Sequence, residues 1–241
     1  MKKLYNIISE IKSIIPKDIK PKFKNAIDLL KWNQKQGMIY SKNILKKNTN
    51  LKKKTILKNS GIKKLYLNCS FKNYNVKNIG QKKALKLSIK YVKNFNLHIS
   101  NFIFSGNPGT GKNHLATSII KKLILQKKNT LIISITELMS HIKNTFNNNF
   151  YTESELIKKF SILDLLIIDE IGVQKKSEYE QITLHRIIEK RCSNKKSTGI
   201  LSNLNFYEIK KILGERILDR MRLGKSLWIN FNWESYRKNI F

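Results

Sequence analysis

Phe104-Ser105-Gly106-Asn107-Pro108-Gly109-Thr110-Gly111-Lys112-Asn113-His114-Leu115 is the stretch whose reading decides the fold. Phe102, Ile103 and Phe104 enter it in strand-like order. Leu115, Ile119, Ile120, Leu123 and Ile124 then recur on one helical face. Between them lies G-x-x-x-x-G-K, from Gly106 to Lys112, the pattern of a phosphate-binding loop. Glycines let the backbone curl until successive N–H groups point at one anion, and the helix that opens there adds unpaired donors and a partial positive charge. Lys112 adds a full charge within reach of the β- and γ-phosphates. A Gly-rich turn that binds nothing needs neither the preceding strand, the following helix nor the lysine. Gly106, Asn107, Pro108, Gly109, Thr110, Gly111, Lys112, Asn113 and His114 are therefore candidates for holding a nucleotide. One position departs from the pattern. The hydroxyl that normally follows the lysine and ligates Mg²⁺ is replaced by Asn113, whose amide oxygen is itself a hard donor.

The chain has 241 residues and 41% hydrophobic content, enough for one P-loop domain and a smaller N-terminal part. The net charge is +32. Residues 1–100 hold 25 Lys and Arg against 3 Asp and Glu, so more than half of the excess lies there. Compositional bias and a polyanionic partner such as nucleic acid both account for such an excess. The two cysteines, Cys69 and Cys192, are far apart and give neither metal-binding spacing nor a disulfide framework, which reads as a reducing cytoplasm. The N-terminus lacks the uninterrupted apolar run and the cleavage site of a signal peptide, and no stretch approaches the length of a membrane span.

Taken in order, residues 1–15 repeat apolar side chains at helical spacing, and Pro16 and Pro21 bracket a break. A second helix starts near Asn25 and carries Ile27, Leu30 and Trp32. The Lys-dense run over 45–64 reads as a linker or a solvated helix end. These features divide the chain into a helical module over 1–50, a basic linker over 51–64 and an α/β domain over 65–241. Asn68 to Tyr74 precedes a helix over 81–94. Its Phe71 and Tyr74 are candidates for lining the base of a nucleotide, or equally for the core. Thr130 to Ile135 is a buried strand by its β-branched run, and 136–146 and 154–160 are helical. Leu165-Leu166-Ile167-Ile168-Asp169-Glu170 is a buried strand that delivers two acids at its carboxyl end, where ligands sit in open α/β sheets. Asp169 suits Mg²⁺, and Glu170 suits orienting and deprotonating a water. A further strand, 198–203, ends in the polar Asn203. The helix over 213–223 carries Arg216 and Arg220 on one face, with Glu215 and Asp219 available for intrahelical pairs. A last strand, 226–231, completes an expected parallel sheet of five.

Asn68–Tyr74, Phe104–Leu115 with its Gly-Lys-Asn-His ending, Leu165–Val173, Leu213–Gly224 and Asn232–Arg237 together resemble the DnaC-type helicase loaders of bacteria, over almost the whole chain. The resemblance implies an AAA+ ATPase that uses ATP and Mg²⁺: a three-layer P-loop domain behind a small helical N-terminal domain. It implies that Asn113 and Asp169 hold the metal, that Glu170 activates water, and that Asn203 is the polar sensor. It implies that Arg220, or less favourably Arg216, is a finger acting on a neighbour's nucleotide, and that Arg237 is a second sensor in cis. Cys69, Phe71 and Tyr74 fall where the family holds the base, and Phe146, Ser177 and Tyr179 where it contacts single-stranded DNA. The partners implied are the replicative helicase DnaB, bound by the N-terminal helices (Phe23, Leu30 and Trp32 being candidates), single-stranded DNA, and further copies of the chain in a spiral on the helicase. Three other readings share parts of this pattern: an ATPase that delivers a transposase to its target, a basic nucleic-acid binder with a structural nucleotide, and a small-molecule kinase.

Overall fold

The computed structural model describes residues 26–95, 97–146, 152–172 and 178–236. It divides into two compact units, residues 1–52 and 53–241. The expected first helix, over residues 1–15, Phe23 and the Asn-rich loop over 147–149 lie outside the described residues. Helix α1 (Ala26–Asn59) carries Ile27, Leu30, Trp32, Met38 and Ile39 exposed. It runs as one helix through most of the Lys-dense run. Lysine is a good helix former, so polarity there marks contact with solvent rather than loss of helix.

In the second unit, α2 (Ile79–Asn94), β1 (Phe102–Gly106), α3 (Lys112–Leu125), β2 (Thr130–Ser134) and α4 (Ile135–Lys143) are followed by α5 (Glu153–Ile162), β3 (Leu165–Ile171), α6 (Glu178–Ser193), β4 (Ser197–Ser202), α7 (Phe206–Met221) and β5 (Leu227–Phe231). The five strands form one sheet in the order β2-β3-β4-β1-β5, and every pairing is parallel. Alternation along the strands feeds two cores. Phe102, Phe104, Leu165 and Ile167 pack with α2 and α3 on one face. Ile103, Leu166, Ile168 and Ile200 pack with α4 to α7 on the other. The result is the expected three-layer α/β domain, with strands buried on both faces as parallel sheets require. Each buried Leu or Ile contributes about 1.5–3 kcal/mol.

Local chemistry sets the ends of the elements. Ser134 stops β2 one residue short of the expected run, because its side chain caps α4 by accepting from Glu137 N at 3.2 Å. Asn78, Thr152 and Asn205 close capping boxes with Gln81, Glu155 and Glu208, which starts α2, α5 and α7 upstream of the apolar repeats. α7 breaks its helical conformation at Gly214 (φ 76°, ψ 161°). Outside the sheet, Ile132 N donates to Ser60 O at 2.9 Å and so satisfies part of the edge strand β2. Among the described residues no helix is long and apolar enough to cross a membrane.

Candidate functional site

A cavity of about 510 Å³ opens at the carboxyl ends of β1, β3 and β4. Its floor is the loop from Pro108 to His114. Gly111, the N-cap of α3, sits at φ 95°, and a Cβ there would lie 2.8 Å from the Tyr74 ring, so glycine is required twice over. Lys112 is buried, and its Nζ donates to the carbonyls of Gly106 and Asn107, both at 2.7 Å. Burial pulls the Lys112 pKa down to about 8, against the opposing pull of Asp169. Asp169 is raised above the usual carboxylate range, again chiefly by burial, although it accepts from Glu170 N and from the Asn113 amide. The two charges therefore fail to neutralise each other's burial.

The metal position can be tested on Asn113. Its Nδ2 donates to Asp169 Oδ2 at 3.0 Å, while its Oδ1 is buried with no hydrogen-bond partner among the described residues. An unpaired buried amide oxygen beside a carboxylate is a hard-donor pair, and Mg²⁺ in phosphate sites takes one or two such protein ligands plus phosphate oxygens and waters. The departure at Asn113 thus fits a metal ligand.

The acids are aimed by the backbone. Asp169 pairs in register with Ser134 of β2, and the β3–β4 register shifts between Ile168 and Ile171. Glu170 sits at φ 61°, an uncommon conformation for a side-chain-bearing residue, and its carboxylate faces the cavity. Such irregularities beside a site re-aim side chains. Glu170 Oε1 lies 3.7 Å from Lys63 Nζ. Asn203 lines the same cavity one residue beyond β4.

Of the residues expected around the base, Cys69 and Tyr74 line the cavity, Tyr74 being buried in the core as well, and Phe71 packs against that core without lining the cavity. The Tyr74 ring meets His114 edge-on at 5.3 Å, and His114 Nε2 lies 2.9 Å from Ser70 O, which ties the aromatic segment to α3. Burial pushes the Tyr74 hydroxyl up to about 12. Lys63, Tyr66, Asn73, Gln81 and Tyr236 also line the cavity and were missed from sequence. Lys63 is hidden in a run of lysines, and the amides carry no motif. Asn73 and Tyr236 fall inside the Asn68–Tyr74 and Asn232–Arg237 fragments and are the two within reach of the sequence.

Arg216 and Arg220 do not reach this cavity. Nor do they pair with Glu215 or Asp219 in their own helix: Glu215 goes to Lys210 at 2.5 Å, and both arginines turn to Glu189 of α6, at 3.5 Å and 2.6 Å. Tyr179 opens α6 and donates to Glu153 at 3.2 Å. Phe146 ends the 3-10 turn Asn144–Phe146. Ser177, Arg237 and the side chain of Phe146 lie outside the described residues.

A parallel sheet with a phosphate loop after β1, an acid pair at the carboxyl end of β3 and a polar residue after β4 defines a P-loop nucleotide-binding protein. More narrowly, the chain belongs to the IstB-like ATP binding protein family, whose sequence profile matches residues 32–240. It is 52% identical over 241 residues to a protein named replicative helicase loader DnaC from Buchnera aphidicola subsp. Baizongia pistaciae (strain Bp), covering 100% of this chain and 98% of that one. It is 45% identical to the protein of the same name from Escherichia coli (strain K12), covering 100% and 98%. A crystal structure of the DnaC helicase loader superposes with a TM-score of 0.62 at 24% identity, over 70% of this chain and 99% of that one, which supports the fold.

Proposed function

We propose that this protein is an ATP-dependent loader that binds the replicative helicase DnaB, opens its ring and delivers it onto single-stranded DNA, with ATP hydrolysis driving the loader's release. The observation that carries the reading is similarity over the full length to proteins named replicative helicase loader, rather than over the ATP-binding part alone.

The geometry supports hydrolysis as the chemistry. On ATP binding, Lys112 exchanges its two carbonyl partners for β- and γ-phosphate oxygens, and the N–H groups from Gly109 to Asn113 surround the phosphates. Asn113 and Asp169 would hold Mg²⁺, which when bound would offset the charge of the β- and γ-phosphates. Glu170 orients a water in line with the γ-phosphorus and takes its proton as the new P–O bond forms and the bond to the β-phosphate oxygen breaks. Asn203 senses the γ-phosphate from β4. Arg220 of a neighbouring copy completes the site, so an isolated subunit turns over slowly. Arg237 is the second sensor. Phe146, Ser177 and Tyr179 contact single-stranded DNA, where stacking is worth about 1–3 kcal/mol per base and tolerates any sequence. The N-terminal helices hold the helicase.

A loading assay tests this directly. Helicase-driven unwinding of a forked duplex carried on circular single-stranded DNA, coated with single-strand-binding protein, should require this protein and ATP. With Glu170→Gln, ATP binding should persist while turnover falls at least a hundredfold and the loader stays bound to the helicase. Unwinding that does not respond to this protein removes the proposal.

A further inference from the structure

We propose that Glu189 is the positioning residue for the arginine pair of α7: its carboxylate sets the attitude in which Arg220 is offered to a second copy of this chain. The inference rests on the reading of Arg220 as a group that acts in a neighbour's nucleotide site, and it adds the residue that orients it.

Glu189 Oε1 receives Arg220 Nη2 at 2.6 Å and lies 3.5 Å from Arg216 Nη2. The two arginines are four residues apart on α7, and one carboxylate oxygen serves both. Their settings differ. The Arg216 side chain is 72% exposed and loosely held, whereas that of Arg220 is 25% exposed and tightly held. An arginine fork is planar, so a bond to one terminal nitrogen fixes where its remaining N–H groups point. A free arginine on a helix surface would have to be ordered each time it met a phosphate, and a fixed one is ordered already.

Both ends of the Glu189–Arg220 pair are anchored to the same strand. Two residues beyond Glu189, the fully buried Arg191 donates to Phe160 O, to Ser197 O and to Thr198 Oγ1, which locks α6 onto β4. On the other side, the Arg220 carbonyl accepts from Asn101 Nδ2 at 3.3 Å, while Asn101 Oδ1 accepts from Thr198 N at 2.8 Å. The Cys192 thiol lies 3.8 Å from the same carbonyl. Carboxylate and guanidinium thus meet at a joint whose two backbones are tied within a few residues of each other on β4. This construction exceeds what a surface ion pair needs.

A complementation experiment isolates the effect, using full-length chains assembled on the replicative helicase with ATP. Subunits carrying Arg220→Ala keep a sound nucleotide site and lack the finger. Subunits carrying Glu170→Gln have a dead site and a sound finger. Mixing the two should restore turnover. Placing Glu189→Ala in the Glu170→Gln subunit should lower the restored turnover about tenfold, part of the ~10³–10⁵ that an arginine finger supplies. ATP affinity and incorporation of that subunit should stay unchanged, and Glu189→Asp should recover part of the activity. A merely structural role would instead lower ATP affinity or incorporation. Glu189→Gln, which keeps the shape and one hydrogen bond, should give an intermediate value. Undiminished activity with Glu189→Ala overturns the inference and leaves the finger reading intact. Failure of Glu170→Gln subunits to rescue Arg220→Ala subunits at all overturns the finger reading, and this inference with it.

Discussion

Raising the pH above 8 should weaken ATP binding, and the size of the effect follows from Lys112. Its ammonium is buried between two carbonyls, and burial lowers its pKa from 10.5 to about 8. A bound triphosphate puts several negative charges beside it and returns the pKa toward the ordinary value, so binding above pH 8 must take up a proton. If ATP binds the charged form, affinity falls with pH by the factor that measures deprotonation of the free site: about twofold at pH 8 and about tenfold at pH 9. Burial moves two other cavity groups the opposite way. Tyr74 is pushed up to about 12, and burial also raises the Cys69 thiol above its ordinary value. The terminal phosphate of ATP has already ionised, with a second pKa near ~6. Folding runs in the opposite sense. Between about 8 and 10.5 the folded chain binds fewer protons at Lys112 than the unfolded chain, so this residue's contribution to stability rises with pH, and lost affinity cannot be put down to its destabilising the fold. Isothermal titration calorimetry from pH 7 to 9.5, in paired buffers of different ionisation enthalpy, reads both quantities. Proton uptake approaching one per ATP at pH 9 is expected, and Lys112→Arg should bind more weakly but lose the pH dependence. Flat affinity across the range with no proton uptake refutes the reasoning.

Two further substitutions probe other parts of the account. Asn113→Ala removes the orphan amide oxygen and leaves Asp169 Oδ2 without its 3.0 Å partner. The Mg²⁺ concentration for half-maximal turnover should rise about tenfold, with little change in metal-free ATP binding, and an unchanged Mg²⁺ requirement would remove Asn113 from the metal site. Gly199→Ala places a Cβ 2.4 Å from the buried Phe102 ring at the β1–β4 contact. The overpacking should cost about 2 kcal/mol and lower the thermal midpoint by about 4–8 °C, whereas an unchanged midpoint would mean that the sheet relaxes more freely than its packing implies.

What the sequence discloses here depends on how local the signal is. The phosphate loop is readable because its glycines, its lysine and the flanking strand and helix are contiguous. Asp169 and Glu170 are readable because an unbroken apolar run ends on them. The sheet is readable because β-branched runs recur between helical repeats. The Lys-dense run is ambiguous by polarity alone, and only the structure carries α1 to Asn59. Phe71 and Tyr74 are equivalent in sequence. The 3-10 turn Phe71–Asn73 separates them: Phe71 packs against the core from a half-buried position, whereas Tyr74 is buried in that core and also lines the cavity. The partner of Arg220 was out of reach for a related reason. Acids one position away, at Glu215 and Asp219, offered a local answer, whereas tertiary packing brings Glu189 across from another helix. Lys63 approaches Glu170 from a segment whose Ser60 carbonyl is bound to the edge of β2, a contact between residues far apart in sequence.

The central claim is that this protein engages the replicative helicase. Size-exclusion chromatography with light scattering should be run on the full chain mixed with the DnaB helicase of the same organism, in the presence of ATP. The account predicts a co-eluting complex with several copies of this chain per helicase ring, lost when residues 1–50 are removed while the remaining chain still binds ATP. Separate elution of the two proteins, with ATP binding intact, would contradict it.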